Sequence, residues 1–466
     1  MFFSPVGVKK FLFFSASAAA FLFFNSPFCK AQDLASPKNV IIMIADGSGF
    51  NHFQAASLYQ HGKPDRLTCQ QFPVKIAMST FPHENLGGDY DPQLAWEDFS
   101  YVLASLSTDS AASATAMSSG EKTENGVIGM AIDGSHLKNL LERAEDAGKA
   151  TGIVTSVPFS HSTPAGFSVH NASRNNYEKI AQEMLLNSRL DVIIGCGHPS
   201  FHNDGSRKHS SQNYTYVGGE NLWSALQDPS QKIGNDADGD GINDPWTFIE
   251  SLPDFRSISQ GDTPKRLLGV PRVNTTLQQG RKGDAHAAPY VVAMNQNIPT
   301  LAEMAAAALN ILNKDPQGFV LMIEGGAADW ASHQHQSGRM VEEELDFHAA
   351  VDIVYQWIEQ NSSWNETLLI VTADHETGYL TGPGSGTKNE KPLWNELITN
   401  GAGTIPEMQW NTSEHSNSLV PFFAKGAGCQ LYLQNIKGED PVRGPYIDNT
   451  DIPKVISWEH HAPALP

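Results

Sequence analysis

Three short stretches of the sequence pair residue types that do chemistry. In Thr108-Asp-Ser-Ala-Ala-Ser-Ala-Thr-Ala-Met117, Ser110 stands where a helix should begin, among side chains small enough for a metal or phosphoryl group to approach. The unsatisfied N–H groups of a helix N-terminus would favour a phosphoryl group there, although a serine before an alanine-rich helix also serves simply as an N-cap. In Glu324-Gly-Gly-Ala-Ala-Asp329-Trp-Ala-Ser-His333, Asp329 and His333 are four residues apart. On a helix they share a face, forming either half of a zinc site or an ordinary surface pair. In Thr372-Ala-Asp374-His375-Glu376, adjacent Asp and His can ligate one ion, and His415 follows in Ser413-Glu-His-Ser. Each signal is weak alone. Together with Asp46, they form a mixed oxygen and nitrogen set suited to zinc. A pair of zinc ions about 3.5–4 Å apart is a clamp for in-line displacement at phosphorus, one ion activating the nucleophile and the other neutralising the leaving oxygen.

Positioning such a set requires strands that end together. Short, β-branched apolar runs at 39–44, 151–155, 191–194, 318–323 and 367–371 read as buried parallel strands. Helical periodicity lies between them at 137–147, 301–312 and 340–358. The alternation predicts an α/β fold with a largely parallel central sheet and helices on both faces. In that architecture chemistry collects beyond the carboxyl ends of the strands. Asp46 follows the first run, His161 the second, Glu324 and Asp329 the fourth, and Asp374 with His375 the fifth. The stretch at about 200–290 is rich in Gly, Asp, Asn and Ser, and it and a second irregular stretch at 378–413 read as insertions.

The 466 residues carry a formal net charge of −20. Lys9 and Lys10 precede an apolar run from Phe11 to Phe24, and Ala31 offers a small residue for cleavage. Residues 1–31 therefore read as a signal peptide, leaving 32–466 as one catalytic domain that is secreted or periplasmic. Its removal takes three lysines and no acid, so the charge becomes −23. Such a surface repels nucleic acid and lipid headgroups, and no C-terminal anchor signal is expected. Cys69, Cys196 and Cys429 fit no zinc-ribbon spacing and could form one disulfide at most. Within Asn235-Asp-Ala-Asp-Gly-Asp-Gly-Ile-Asn-Asp244, the residues Asp236, Asp238, Asp240 and Asp244 follow the spacing of a calcium loop. Thr247 replaces the closing Glu, so a solvated acidic loop is the competing reading.

Four segments resemble the alkaline phosphatase family. They are Ile44-Ala-Asp46-Gly-Ser-Gly49, Thr108-Asp-Ser110-Ala-Ala-Ser-Ala-Thr115, Glu324 through His333, and Thr372-Ala-Asp374-His375, in family order. The resemblance implies hydrolysis of small phosphate monoesters through a phosphoserine at Ser110. It implies one zinc on Asp329, His333 and His415 and another on Asp46, Asp374 and His375. A magnesium-type site would use Asp46, Glu324 and Thr163, and Arg174, oriented by Asp109, would clamp phosphate. Family members are commonly homodimers. His161 stands where enteric members have Asp, which favours zinc over magnesium in the third site. Trp330 stands where some members have Lys, which predicts weaker inhibition by phosphate. Related scaffolds serve sulfatases and phosphodiesterases, but Ser110 lacks the sulfatase Cys/Ser-x-Pro-x-Arg setting, and Arg174 favours a terminal phosphate. A calcium-stabilised binding protein without activity would lack part of this set, and nothing is missing.

Overall fold

Asn39–Ala45 places every residue in the interior, and alternate side chains go to opposite faces of the sheet. Val40, Ile42 and Ile44 join one apolar core, and Ile41, Met43 and Ala45 join the other. This strand is the centre of the computed structural model, which describes residues 36–458 except 84–89, 104–106, 211 and 390. The expected signal peptide lies outside the described residues, and among the described residues no helix is long and apolar enough to cross a membrane.

The strands of the main sheet are β1 (Asn39–Ala45), β2 (Val74–Ser79), β3 (Ala150–Pro158), β4 (Val192–Cys196), β5 (Thr247–Ile249), β6 (Leu267–Gly269), β7 (Phe319–Gly325), β8 (Thr367–Thr372), β9 (Val420–Gly426), β10 (Gly438–Asp440) and β11 (Gly444–Asp448). Their order is β10-β11-β2-β9-β8-β1-β7-β3-β4-β6-β5. Seven of the ten pairings are parallel, so the sheet is largely parallel as expected; β9 runs against both its neighbours. Val420–Gly426 escaped the sequence reading because Pro421 interrupts its pattern. The 200–290 stretch contributes the last two strands of the sheet, β6 and the edge strand β5.

Helices cover both faces. On one lie Ala111, Ala114 and Met117 of α2 (Ser110–Ser119). On the other lie α4 (Leu301–Leu312) and α6 (Ser337–Asn361), through residues such as Leu309, Phe347 and Val351. The helix expected at 137–147 begins only at Leu140, because Asn139 caps it by accepting from the N–H of Glu142. Two shorter helices matter for the site, α3 (Ser162–Gly166) and α5 (Ala327–His333), as does α1 (Phe50–His61). Cys69, Cys196 and Cys429 are buried and free.

The register brings the chemistry to one place. β8, β1, β7 and β3 are consecutive neighbours, with Ile44 level with Thr372 and Glu324, and Glu324 level with Thr155. The loops that follow these strands therefore emerge side by side. Helix α2 meets α3 so closely that a Cβ on Gly166 would lie 2.7 Å from Ala114 Cβ. Ser118 Oγ also donates to Gly166 O at 2.6 Å. Gly166→Ala forces α2, and Ser110 with it, apart from α3. The expected cost is about 1–3 kcal/mol of unfolding free energy, measured by denaturant titration. Unchanged stability would show that the helices separate without penalty.

Candidate metal centre and nucleophile

Ser110 opens α2, and Asp109 is its N-cap, accepting from the N–H of Ala112 at 2.9 Å. Alanines at 111, 112 and 114 let this helix enter the interior, so Ser110 is buried. Ser113 Oγ donates to the carbonyl of Asp374 at 2.6 Å, tying the helix to the loop after β8. Ser110 Oγ then lies 3.3 Å from His375 Nε2.

Two donor clusters flank this hydroxyl. In the first, Asp329 Oδ1 is 3.4 Å from His333 Nε2 and 3.7 Å from His415 Nε2, and the two imidazole nitrogens are 3.1 Å apart. Donors at about 2.0–2.1 Å around a tetrahedral zinc stand roughly 3.3 Å from one another, so the triangle fits that ion. His333 Nδ1 faces Ser413 O at 2.5 Å, and His415 Nδ1 faces Thr108 O at 2.7 Å. A carbonyl only accepts, so Nδ1 carries the proton and Nε2 offers a lone pair.

In the second cluster, His375 Nε2 lies 3.2 Å from Asp374 Oδ2 and 3.5 Å from Asp46 Oδ1. Asp374 Oδ1 accepts the N–H groups of Gly47 at 3.1 Å and His375 at 2.9 Å, which aims Oδ2 at the cluster. Asp46 Oδ1 and Oδ2 and Asp374 Oδ2 are buried without a hydrogen-bond partner. The stacked rings of His375 and His415, with centroids 3.6 Å apart, bring the two clusters side by side.

A third set adjoins Asp46. Glu324 Oε1, Thr163 Oγ1, Ser162 Oγ and His161 Nδ1 are also buried without partners. Thr155 donates to the other oxygen of Glu324. The His161 ring is stacked on Tyr177, at a centroid distance of 5.7 Å, and meets the edge of Trp330 at 5.5 Å. Thr155, Ser162 and Tyr177 were not singled out in the sequence. Thr155 reads there as a strand residue, and only its register opposite Glu324 gives it a role.

Burial, reinforced by neighbouring carboxylates, pushes Asp46 well above the usual carboxylate range. It takes Asp374 and Glu324 up to about 7. Burial first, and then neighbouring imidazoles and Arg174, holds His375 far below its ordinary value; burial and Arg174 hold His161 at about 3. Clustered acids whose ionised forms are disfavoured, next to imidazoles that stay neutral, suit divalent cations. The donor set therefore fits two zinc-type positions and a third beside them.

Arg174 reaches the mouth of this site. Its Nη1 lies 2.9 Å from Asp109 Oδ2, which also accepts the N–H of Gly126 at 2.9 Å. Asp109 thus caps the helix that Ser110 opens with one oxygen and orients the guanidinium with the other. Far from these residues in sequence, Asp236, Asp238 and Asp244 come together, but Asp240 does not join them. Asp240 Oδ1 turns back to accept the N–H of Ile242 at 2.8 Å. Lys265 Nζ bridges Asp238 Oδ2 at 2.7 Å and Asp244 Oδ1 at 2.6 Å.

A family model described as alkaline phosphatase matches residues 37–400. Alkaline phosphatase 3 of Bacillus subtilis (strain 168) is 30% identical over 387 residues, covering 80% of this chain and 69% of that protein. The alkaline phosphatase of Escherichia coli (strain K12) is 28% identical over 416 residues, covering 84% and 81%. Among solved structures, the cold-active enzyme of a psychrophilic Shewanella sp. superposes with a TM-score of 0.62 at 25% identity, covering 90% of this chain and 98% of that one. The alkaline phosphatase of the Antarctic bacterium TAB5 shares the fold, with a TM-score of 0.61 at 24% identity over 91% and 99% of the two chains. This chain belongs to the alkaline phosphatase family, whose members are phosphomonoester hydrolases.

Proposed function

We propose that Ser110 is the nucleophile of this hydrolase and carries a phosphoserine during turnover, with two zinc ions in the flanking clusters and a third ion beside them. The observation that carries the reading is the placement of Ser110 Oγ, 3.3 Å from His375 Nε2 at a helix N-terminus between the clusters. Zinc bound there would lower the pKa of the hydroxyl and offset charge on the leaving oxygen. Ser110 gives up its proton to solvent and Oγ attacks phosphorus as the bond to the leaving oxygen breaks, that oxygen taking up a proton to depart as the alcohol. Water then displaces Oγ from phosphorus, releasing inorganic phosphate and restoring the hydroxyl. Arg174, held by Asp109, pairs two terminal phosphate oxygens through its planar fork, a geometry that lysine lacks. A diester has fewer free oxygens for that fork, so a monoester is the better substrate.

The third position takes Asp46, Glu324, Thr163 and His161. An imidazole in place of a carboxylate favours zinc there over magnesium. We further infer that residues 1–31 are removed, that 32–466 acts as one catalytic domain, secreted or periplasmic, and that it pairs as a homodimer. Nucleic acid does not enter this reading. Calcium at Asp236, Asp238 and Asp244 would brace the 200–290 stretch by displacing the Lys265 ammonium.

In p-nitrophenyl phosphate hydrolysis at neutral to alkaline pH, Ser110→Ala should reduce kcat on the order of 10³-fold or more. By mass spectrometry it should keep the metal content of the wild type. Activity retained in the variant excludes the phosphoserine route, and a wild type that holds fewer than two zinc ions excludes the two-zinc site. Trp330→Lys introduces a cation beside His161, so inhibition by phosphate should tighten by about 10-fold, the worth of one charge-assisted hydrogen bond. An unchanged inhibition constant removes Trp330 from product release. Calcium at a hundredfold excess over its Kd should stabilise the protein by about 2.7 kcal/mol, and Asp244→Asn should abolish that gain. No thermal shift with calcium leaves Lys265 as the permanent counterion of the loop.

A further inference from the structure

An imidazole that offers Nε2 to a metal needs a partner for the proton on Nδ1. For His333 and His415 that partner is a backbone carbonyl. His375 is different. Its Nδ1 lies 3.3 Å from the side-chain hydroxyl of Thr377. The same hydroxyl lies 2.5 Å from Asp329 Oδ1, the oxygen that faces His333 and His415 in the other cluster. Thr377 is completely buried. A hydroxyl has one proton and two lone pairs. The carboxylate can only accept, so the proton goes to Asp329 and a lone pair is left for His375 Nδ1–H.

The backbone of Thr377 is anchored at the same junction. Its N–H donates to Gly47 O at 2.9 Å, next to Asp46, and Thr377 pairs directly with His415 across a short antiparallel bridge. A Cβ on Gly47 would lie 2.7 Å from Asp329 Cα, so the Asp46 loop and α5 have no slack between them. One side-chain hydroxyl therefore aims a ligand atom of each cluster, and it does so at the point where the loops carrying both sets are pinned together.

We propose that Thr377 is a positioning residue that couples the two metal positions, so that filling one orients the donors of the other. The inference rests on the two-zinc reading above. Occupying the first cluster fixes Asp329, which orders the Thr377 hydroxyl, which in turn locks His375 with Nε2 toward Asp46 and Asp374. The reverse order transmits the same information, because coupling between two sites is reciprocal.

The test is a competitive zinc titration of metal-stripped full-length protein against a chromophoric chelator, with folding checked by circular dichroism and thermal unfolding. Wild type should bind two zinc ions with positive cooperativity. Thr377→Ser keeps the hydroxyl and should match it. Thr377→Val keeps the shape without the hydroxyl and should weaken both sites by about 10- to 100-fold and abolish the cooperativity. Weakening of one site alone, or two unchanged affinities, overturns the coupling while leaving the two-zinc reading intact. A wild type that binds fewer than two zinc ions overturns both. If the valine variant does not fold, nitrogen-15 NMR of His375 in the stripped wild type decides. A proton on Nδ1 supports the role of Thr377, and a proton on Nε2 overturns it.

Discussion

Asp46, Glu324, Asp329 and Asp374 are all buried at one end of the sheet, and several of their oxygens face one another with no hydrogen-bond donor. Carboxylates in that condition repel and lose hydration, which costs several kcal/mol per ion unless cations compensate. Every other feature of the site follows from this constraint. His333 and His415 turn Nε2 inward, the serine sits at the positive end of a helix, and the guanidinium of Arg174 is tethered through Asp109. Divalent ions held in this cluster would give an acidic protein a local field able to attract phosphate.

The scaffold makes that arrangement rigid rather than merely crowded. Four neighbouring strands supply the loops, and their register leaves the strand ends level. The donors are then locked from behind by groups that do not themselves reach the reaction. Gly47 N–H holds Asp374, Thr155 holds Glu324, and the carbonyls of Ser413 and Thr108 hold His333 and His415. Behind these, His52 Nδ1 accepts from the N–H of Gly49, and its Nε2 lies 3.2 Å from Ser332 Oγ, joining the Asp46 loop to α5. A displacement of any one loop would disturb several ligands at once.

Much of this was legible in the residues. The five apolar runs expected as strands are strands, because parallel strands covered on both faces must be apolar at every position. Asp46, Ser110, Asp329, Asp374 and His375 lie together, each just beyond a strand end or near a helix start, and they are joined by His333 at the end of α5 and His415 at the start of a short antiparallel bridge. Less legible were elements whose pattern is broken or too short. Pro421 hid β9, and Thr247–Ile249 is too brief to show alternation. In the acidic loop, spacing alone implicated Asp240, but its carboxylate is satisfied locally by a turn, and Lys265, distant in sequence, takes the place between Asp238 and Asp244.

The division between the two sources of information has a physical basis. Local patterning determined the element types, the side-chain faces and the inventory of nucleophile and donors, since those depend on periodicity and on the chemistry of individual residues. The family resemblance had already grouped the donors, but only the tertiary structure decided which nitrogen each imidazole presents. It also decided which neutral hydroxyls, such as those of Thr155 and Thr377, serve the site. Those outcomes turn on distances of 3–4 Å between residues up to hundreds of positions apart, as between Asp46 and His375. Strand order and register set such distances, and no local stretch of sequence encodes them.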